Sequence, residues 1–197
     1  MGHIEYSWSA GKASLAQSDS ATEWTVSANY AVDQGSDPTT LEIAFGDDTS
    51  YPLTKDTQSY SGSGTYVLLH WEMGEATNFL VHYSIPQLEI ATWHVYTNVK
   101  SQSYVQIAFS PSEQDYTLDA QVHFDGNASA QVITGDGNIS GNISGSIPLS
   151  EGPNSMRFPS TAVLIGVEVG DANSMVSIDY TISAGPKTAF GRSRIGP

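Results

Sequence analysis

The sequence contains no cysteine, and that single absence excludes thiolate catalysis, cysteine-ligated zinc, iron–sulfur clusters and disulfide staples. Stability must then come from a packed core. The 197 residues are enough for one, because a domain of about 150 residues already buries roughly 70% of the surface its unfolded chain exposes. Cations are scarce as well: 7 Lys plus Arg stand against 21 Asp plus Glu, a formal net charge of −14. Four of them, Lys12, Lys55, Lys100 and Arg157, lie in the body of the chain, and Lys187, Arg192 and Arg194 fall in the last eleven residues. Nucleic-acid binding needs clustered cations to neutralise phosphates, so the composition argues against it for the folded body. Contact with an anionic lipid or an acidic neighbour is left to the C-terminal tail.

Long apolar runs are missing too. The longest, from Ala162 to Val169, is far short of the roughly 18 residues a membrane-spanning helix requires. The first residues, Met1-Gly-His-Ile-Glu-Tyr-Ser-Trp8, have no basic segment followed by an apolar one, so with Met1 as the encoded start no secretory signal is expected. Chemical signatures are equally sparse. The chain has no Gly-x-Ser-x-Gly elbow, no Ser-x-x-Lys, no phosphate-binding loop, no dinucleotide fingerprint and no His-Glu-x-x-His helix.

What the sequence does have is a period of two. Strands are expected at residues 24–30, 41–45, 66–71, 79–85, 90–96, 104–109, 116–124, 130–134, 162–169 and 175–182. In each, β-branched and aromatic residues alternate with polar ones between Gly, Asp, Pro or Asn. No segment reads convincingly as a helix; Ala10 to Gln17 is too short and too weakly patterned. Asp125-Gly126-Asn127 supplies the positive φ of a tight hairpin between residues 120–124 and 130–133, and Gly170-Asp-Ala-Asn173 suggests another between the last two strands. The expected fold is an all-β antiparallel sandwich of about 8–10 strands, jelly-roll-like. A single domain at 21–184 would be flanked by an N-terminal arm (1–20) and a C-terminal tail (185–197). Trp24-x-Val-x-x-Asn29, Glu42-Ile-Ala-Phe45 and Tyr51-x-Leu53 parallel Trp93-x-Val-x-x-Asn98, Gln106-Ile-Ala-Phe109 and Tyr116-x-Leu118. That likeness suggests an internal duplication near residue 90, with two related modules meeting near Pro86.

The tandem Asn138-Ile-Ser-Gly-Asn-Ile-Ser-Gly145 lies in a Gly/Ser-rich stretch from about 135 to 153, which reads as a long exposed loop or a weak edge strand. Asn127, Asn138 and Asn142 each begin an N-glycosylation acceptor pattern. Asp47 and Asp48, Asp125 and Asp136 stand in loops whose oxygens suit either plain turn chemistry or a calcium ion, the one cofactor the chain suggests. His70, His82, His94 and His123 fall in strand-like segments without metal-ligand spacing, as do Glu23, Glu42, Glu72, Glu89 and Glu168 without an evident catalytic partner. Trp24, Trp71 and Trp93 alternate with Val, Ile or Leu, as core aromatics do, although a carbohydrate-stacking face is the other use for them. No catalytic residue is expected, and the chain reads as a non-enzyme.

Two resemblances bear on function. Phe45-Gly-Asp-Asp-Thr49 followed by Ser63-Gly-Thr-Tyr66-Val-Leu resembles the Phe-Gly-Asp-Gly-Thr and Gly-Thr-Tyr signature of PKD-type immunoglobulin-like modules, with Asp48 in place of the glycine. It implies an extracellular adhesive module. As a whole, the acidic, lysine-poor composition, the length and the polar loops resemble the single jelly-roll capsid proteins of haloarchaeal and related icosahedral viruses. That resemblance implies a halophilic virion subunit that assembles with copies of itself and with other virion proteins. An adhesive or carbohydrate-binding sandwich, extracellular or at the cell surface, is the alternative expectation.

Overall fold

The computed structural model describes residues 2–46, 48–74, 76–86, 90–98, 102–135 and 143–185. Twelve antiparallel strands fill them: β1 (Gly2–Ser7), β2 (Ala10–Gly35), β3 (Thr40–Phe45), β4 (Ser50–Pro52), β5 (Gln58–Glu72), β6 (Ala76–Ile85), β7 (Ile90–Asn98), β8 (Gln102–Asp125), β9 (Ala128–Gly135), β10 (Ile143–Pro148), β11 (Gly152–Val169) and β12 (Met175–Gly185). The all-β antiparallel sandwich is therefore what the chain forms, with twelve strands in place of eight to ten. Every segment expected to be a strand lies in one.

Four strands are long enough to belong to two layers. β2 pairs with β1 at Gly11–Ala13 but with β6 from Ser27 to Gly35, and β8 pairs with β7 at Gln102–Val105 but with β12 from Asp115 to Asp125. β5 follows β2 and β11 follows β8 through both layers. One layer thus runs β4, β3, β5 (residues 66–72), β2 (10–17), β1, β12, β8 (115–125) and β11 (152–160). The other runs β10, β9, β11 (162–169), β8 (102–109), β7, β6, β2 (22–35) and β5 (58–64). The wrapping expected of a jelly roll takes the form of these two long pairs, β2·β5 and β8·β11, passing from layer to layer.

The pairing scheme of the first six strands recurs in the last six. β1·β2, β2·β5, β3·β5, β3·β4 and β2·β6 correspond to β7·β8, β8·β11, β9·β11, β9·β10 and β8·β12, and β1·β12 corresponds to β6·β7. The correspondence extends to irregularities. In β2, Leu15 is bulged and residues 18–21 face only Thr65; in β8, Ile107 is bulged and residues 110–113 face only Thr161. Each bulge ends the regular ladder and bends its strand towards the other layer. Thr22 Oγ1 donates to Ser18 Oγ at 3.1 Å in the first bend, and Gln114 Nε2 donates to Ser110 Oγ at 3.4 Å in the second. The backbone N–H of Leu53 bonds Leu41 O, as that of Leu149 bonds Ala130 O. Superposing the registers aligns Val67-Leu-Leu-His-Trp-Glu-Met-Gly74 with Val163-Leu-Ile-Gly-Val-Glu-Val-Gly170, and Tyr83-Ser-Ile85 with Tyr180-Thr-Ile182. The motif parallel read from the sequence is corrected here: Trp24 lies on β2 and Trp93 on β7, which are not equivalent strands.

Alternating side chains of both layers meet in one core. Ile4, Tyr6, Val26, Ile43, Leu69, Trp71 and Phe79 from the first half join Leu118, Val122, Val132, Ile165, Val176 and Ile178 from the second. Across the layers, Tyr6 Oη donates to Gln102 O at 3.3 Å, and the Trp71 and Phe79 rings meet edge-on at 6.5 Å. The equivalent tyrosines Tyr83 and Tyr180 are both buried, and desolvation raises the pKa of each hydroxyl.

Three further expectations are corrected. Residues 1–20 are not an arm: β1 and the start of β2 are inner strands, and Ile4, Tyr6, Ala13 and Leu15 are buried. Asp125-Gly126-Asn127 does make a turn, with Gly126 at φ 70°, but the strands it joins do not pair, because β9 crosses to lie against β11. Likewise the turn at 170–174 joins β11 to β12, and β8 lies between them. These two turns interlock instead: Gly170 N donates to Asn127 O at 2.6 Å and Asn127 N to Ser174 Oγ at 2.8 Å. Of the Gly/Ser-rich stretch, residues 143–148 form edge strand β10, and residues 136–142 lie outside the described residues.

Candidate functional site

The polar side chains of the first layer are arranged by register. Where two strands pair, directly opposite residues share a face and their side chains touch. His3 stands opposite Asp179, Glu5 opposite Lys12, Glu42 opposite His70, Thr40 opposite Glu72 and Asp119 opposite Ser155. Each pair is joined: His3 Nδ1 to Asp179 Oδ1 at 2.8 Å, Lys12 Nζ to Glu5 Oε1 at 3.9 Å, and His70 Nδ1 to Glu42 Oε1 at 3.2 Å. Thr40 Oγ1 donates to Glu72 Oε2 at 2.9 Å, and Ser155 Oγ to Asp119 Oδ1 at 2.6 Å. Nearer the rim, His123 Nδ1 meets Glu151 Oε1 at 2.9 Å, and the Phe124 N–H donates to the same carboxylate at 2.7 Å. That hydrogen bond raises the His123 pKa above its ordinary value, and the same bond, followed by the one from Phe124, lowers that of Glu151. Arg157 reaches Asp115 at 3.2 Å.

These contacts are half exposed or exposed, and each acid is engaged by its own neighbour across the ladder. Two open grooves cross the described surface: one crosses β8, β11 and β12 beside Asp119, Pro153 and Asp179, and another lies at the bend of β8 beside Phe109.

The residues singled out from the sequence are scattered. Asp48, with φ 65°, sits in the β3–β4 turn, where its N–H bonds Phe45 O at 3.2 Å, and Asp125 closes β8 at the far turn. Asp47 and Asp136 lie outside the described residues, and among the described ones no group of three or more His, Asp or Glu could hold a metal ion. The calcium expectation thus finds turn chemistry at Asp48 and Asp125. Asn127 is exposed, but its side chain lies over Gly170, where an added Cβ would meet Nδ2 at 2.1 Å. Asn138 and Asn142 are outside the described residues. Trp24 and Trp71 are core residues, 3% and 0% exposed, with Trp24 Nε1 donating to Gly64 O at 2.9 Å. His82 pairs in register with His94 on the second layer, the position matching Asp179 opposite His3.

Sequence reasoning missed the strand edges, which are the features that face outward in backbone terms. The ends of the two layers are β4, β10, residues 58–64 of β5 and residues 152–160 of β11. Pro52 stands on β4, Pro148 on β10 and Pro153 and Pro159 on β11, whereas residues 58–64 of β5 carry no proline; proline removes a donor and blunts an edge against pairing with another chain. The class defined by fold and surface is an acidic two-layer β-sandwich of duplicated design. No family model and no curated protein sequence matches the chain.

Proposed function

We propose that the protein is a non-enzymatic structural subunit of a virion, a capsid-type β-sandwich tile that acts by associating with copies of itself. The observation that carries this reading is the repeated pairing scheme, in which the edges β4 and β5 (58–64) of the first half recur as β10 and β11 (152–160) of the second and so give the tile two like sides to offer neighbours. The prolines on three of the four edges support contact through side chains and flanking segments rather than through open-ended strand addition. The outer face supports it too, since the acids named above are engaged pairwise by neighbours on the same face. An acidic surface of this kind suits a concentrated-salt medium, where counterions screen the repulsion between copies of net charge −14.

Sedimentation velocity of the purified chain across protein concentration and salt is the test. Association that strengthens with salt is expected. A monomer at every concentration and salt, together with binding to an immobilised glycan, would replace this reading with that of an adhesive or carbohydrate-binding module. The burial of Trp24 and Trp71 weighs against that alternative, because neither ring is free to stack on a sugar.

A further inference from the structure

Along one edge β8 is paired with β11 at Gln102–Phe109, with Ile107 bulged, and again at Gln114–Val122. Along the other, β7 covers Gln102–Val105 and β12 covers Asp115–Asp125, and no strand among the described residues pairs with residues 106–114 between them. Backbone groups on such a gap are a template for another strand. An open groove of about 390 Å³ lies there, walled by Ile107, Phe109, Gln114 and Tyr116 of β8 and by Ile182 of β12. Phe109 is 38% exposed, a large apolar ring left facing water, whereas its counterpart in the first half is Gln17. Unlike the outer edges at β4, β10 and β11, this one carries its proline at Pro111, outside residues 106–110.

The chain itself supplies a matching segment. β12 ends at Gly185, opposite Asp115, and the next residue is Pro186. Proline has no N–H to donate to a ladder and a fixed φ. The eleven residues that follow include Phe190 and Ile195, carry Lys187, Arg192 and Arg194, and contain none of the 21 acidic residues. The gap they would meet is flanked by Glu113 and Asp115. The geometry points to this gap as the docking site for residues 187–197 of a second copy, laid as a short strand along residues 106–110 with Phe190 on Phe109. The inference rests on the self-association reading and names the arm that carries it.

The absence of native cysteine makes a direct test simple. The double variant Phe109→Cys/Phe190→Cys, oxidised at high protein concentration, is expected to give disulfide-linked dimers and larger species on a non-reducing gel. The chain ending at Gly185, and the Phe109→Gln variant that copies Gln17, are expected to associate at least tenfold more weakly by sedimentation, with unchanged circular dichroism. A bridge formed only within one chain, or no bridge at all, overturns the inference. So does a truncated chain that associates as tightly as the full one, in which case self-association stands and the arm does not carry it. A full-length chain that never associates removes the reading beneath both.

Discussion

A Cβ placed on Gly64 would stand 2.5 Å from Cα of Gly46 and 2.7 Å from its nitrogen, both backbone atoms that cannot swing aside. The residue also has φ 149°, a region side chains seldom adopt. In the second half the matching position is Ser160, whose Oγ accepts from Gly135 N at 3.2 Å and donates to Ala162 O at 2.6 Å. The same bend is thus closed by direct backbone approach in one half and by a hydroxyl bridge in the other. Gly64→Ala is expected to cost about 1–3 kcal/mol, the range for forcing atoms into a packed site. Urea unfolding checks it, with exposed Ser61→Ala, expected to stay within about 0.5 kcal/mol, as the control on the same strand.

Among the elements, the bends in β2 and β8 show what a sequence can and cannot disclose. The two insertions read Ser18-Asp-Ser-Ala21 and Ser110-Pro-Ser-Glu113, each set against one threonine. If they are interchangeable, the double variant Pro111→Asp/Glu113→Ala, which turns the second into the first, should change stability by no more than about 1 kcal/mol. Deleting residues 110–113 should abolish folding, because a straight β8 cannot serve both layers; circular dichroism separates the outcomes. The period of two made nine of the twelve strands legible, since alternate burial leaves its mark on each residue; β1 and β4 were not read as strands, and β10 only as the alternative to a loop. Length and partnership were not legible. Residues 104–109 and 116–124 read as two strands because polar Ser110 to Gln114 interrupts the pattern, although β8 runs through it. Turn residues announced reversals at 125–127 and 170–173 but not which strand would be found on arrival, because local φ angles carry no information about the layer. The true internal match, Val67-Leu-Leu-x-x-Glu-x-Gly74 with Val163-Leu-Ile-x-x-Glu-x-Gly170, was present in the sequence at closer spacing than the tryptophan parallel. Aliphatic runs of this kind serve any core strand, so in the sequence alone the match stands out less than paired tryptophans do. Of the candidate sites, the histidine–carboxylate contacts could not be foreseen, since they depend on register across as many as 176 positions.

At the scale of the whole molecule, neither half closes its own core. β1 needs β12 and β6 needs β7, so the halves share two continuous ladders as well as the tyrosines at Tyr83 and Tyr180. One cooperative unit is the physical consequence, whatever the origin of the repeat. The β1·β12 ladder has a further one. Because it matches β6·β7, the order of strands is cyclic, and the chain could be cut anywhere that one half hands over to the other. Gly2 stands opposite Tyr180, five residues before Gly185, a gap of about 17 Å at strand rise that residues 186–197 are long enough to bridge. A circular permutant starting at Gln87 and ending at Pro86, with Pro197 joined to Met1, is expected to fold with the same near-ultraviolet spectrum and a single unfolding transition. A permutant that stays unfolded would show that β1 and β12 must be separate ends. If it folds, β1 is first only by accident of synthesis, and the molecule is better described as a ring of twelve strands opened at one of two equivalent seams.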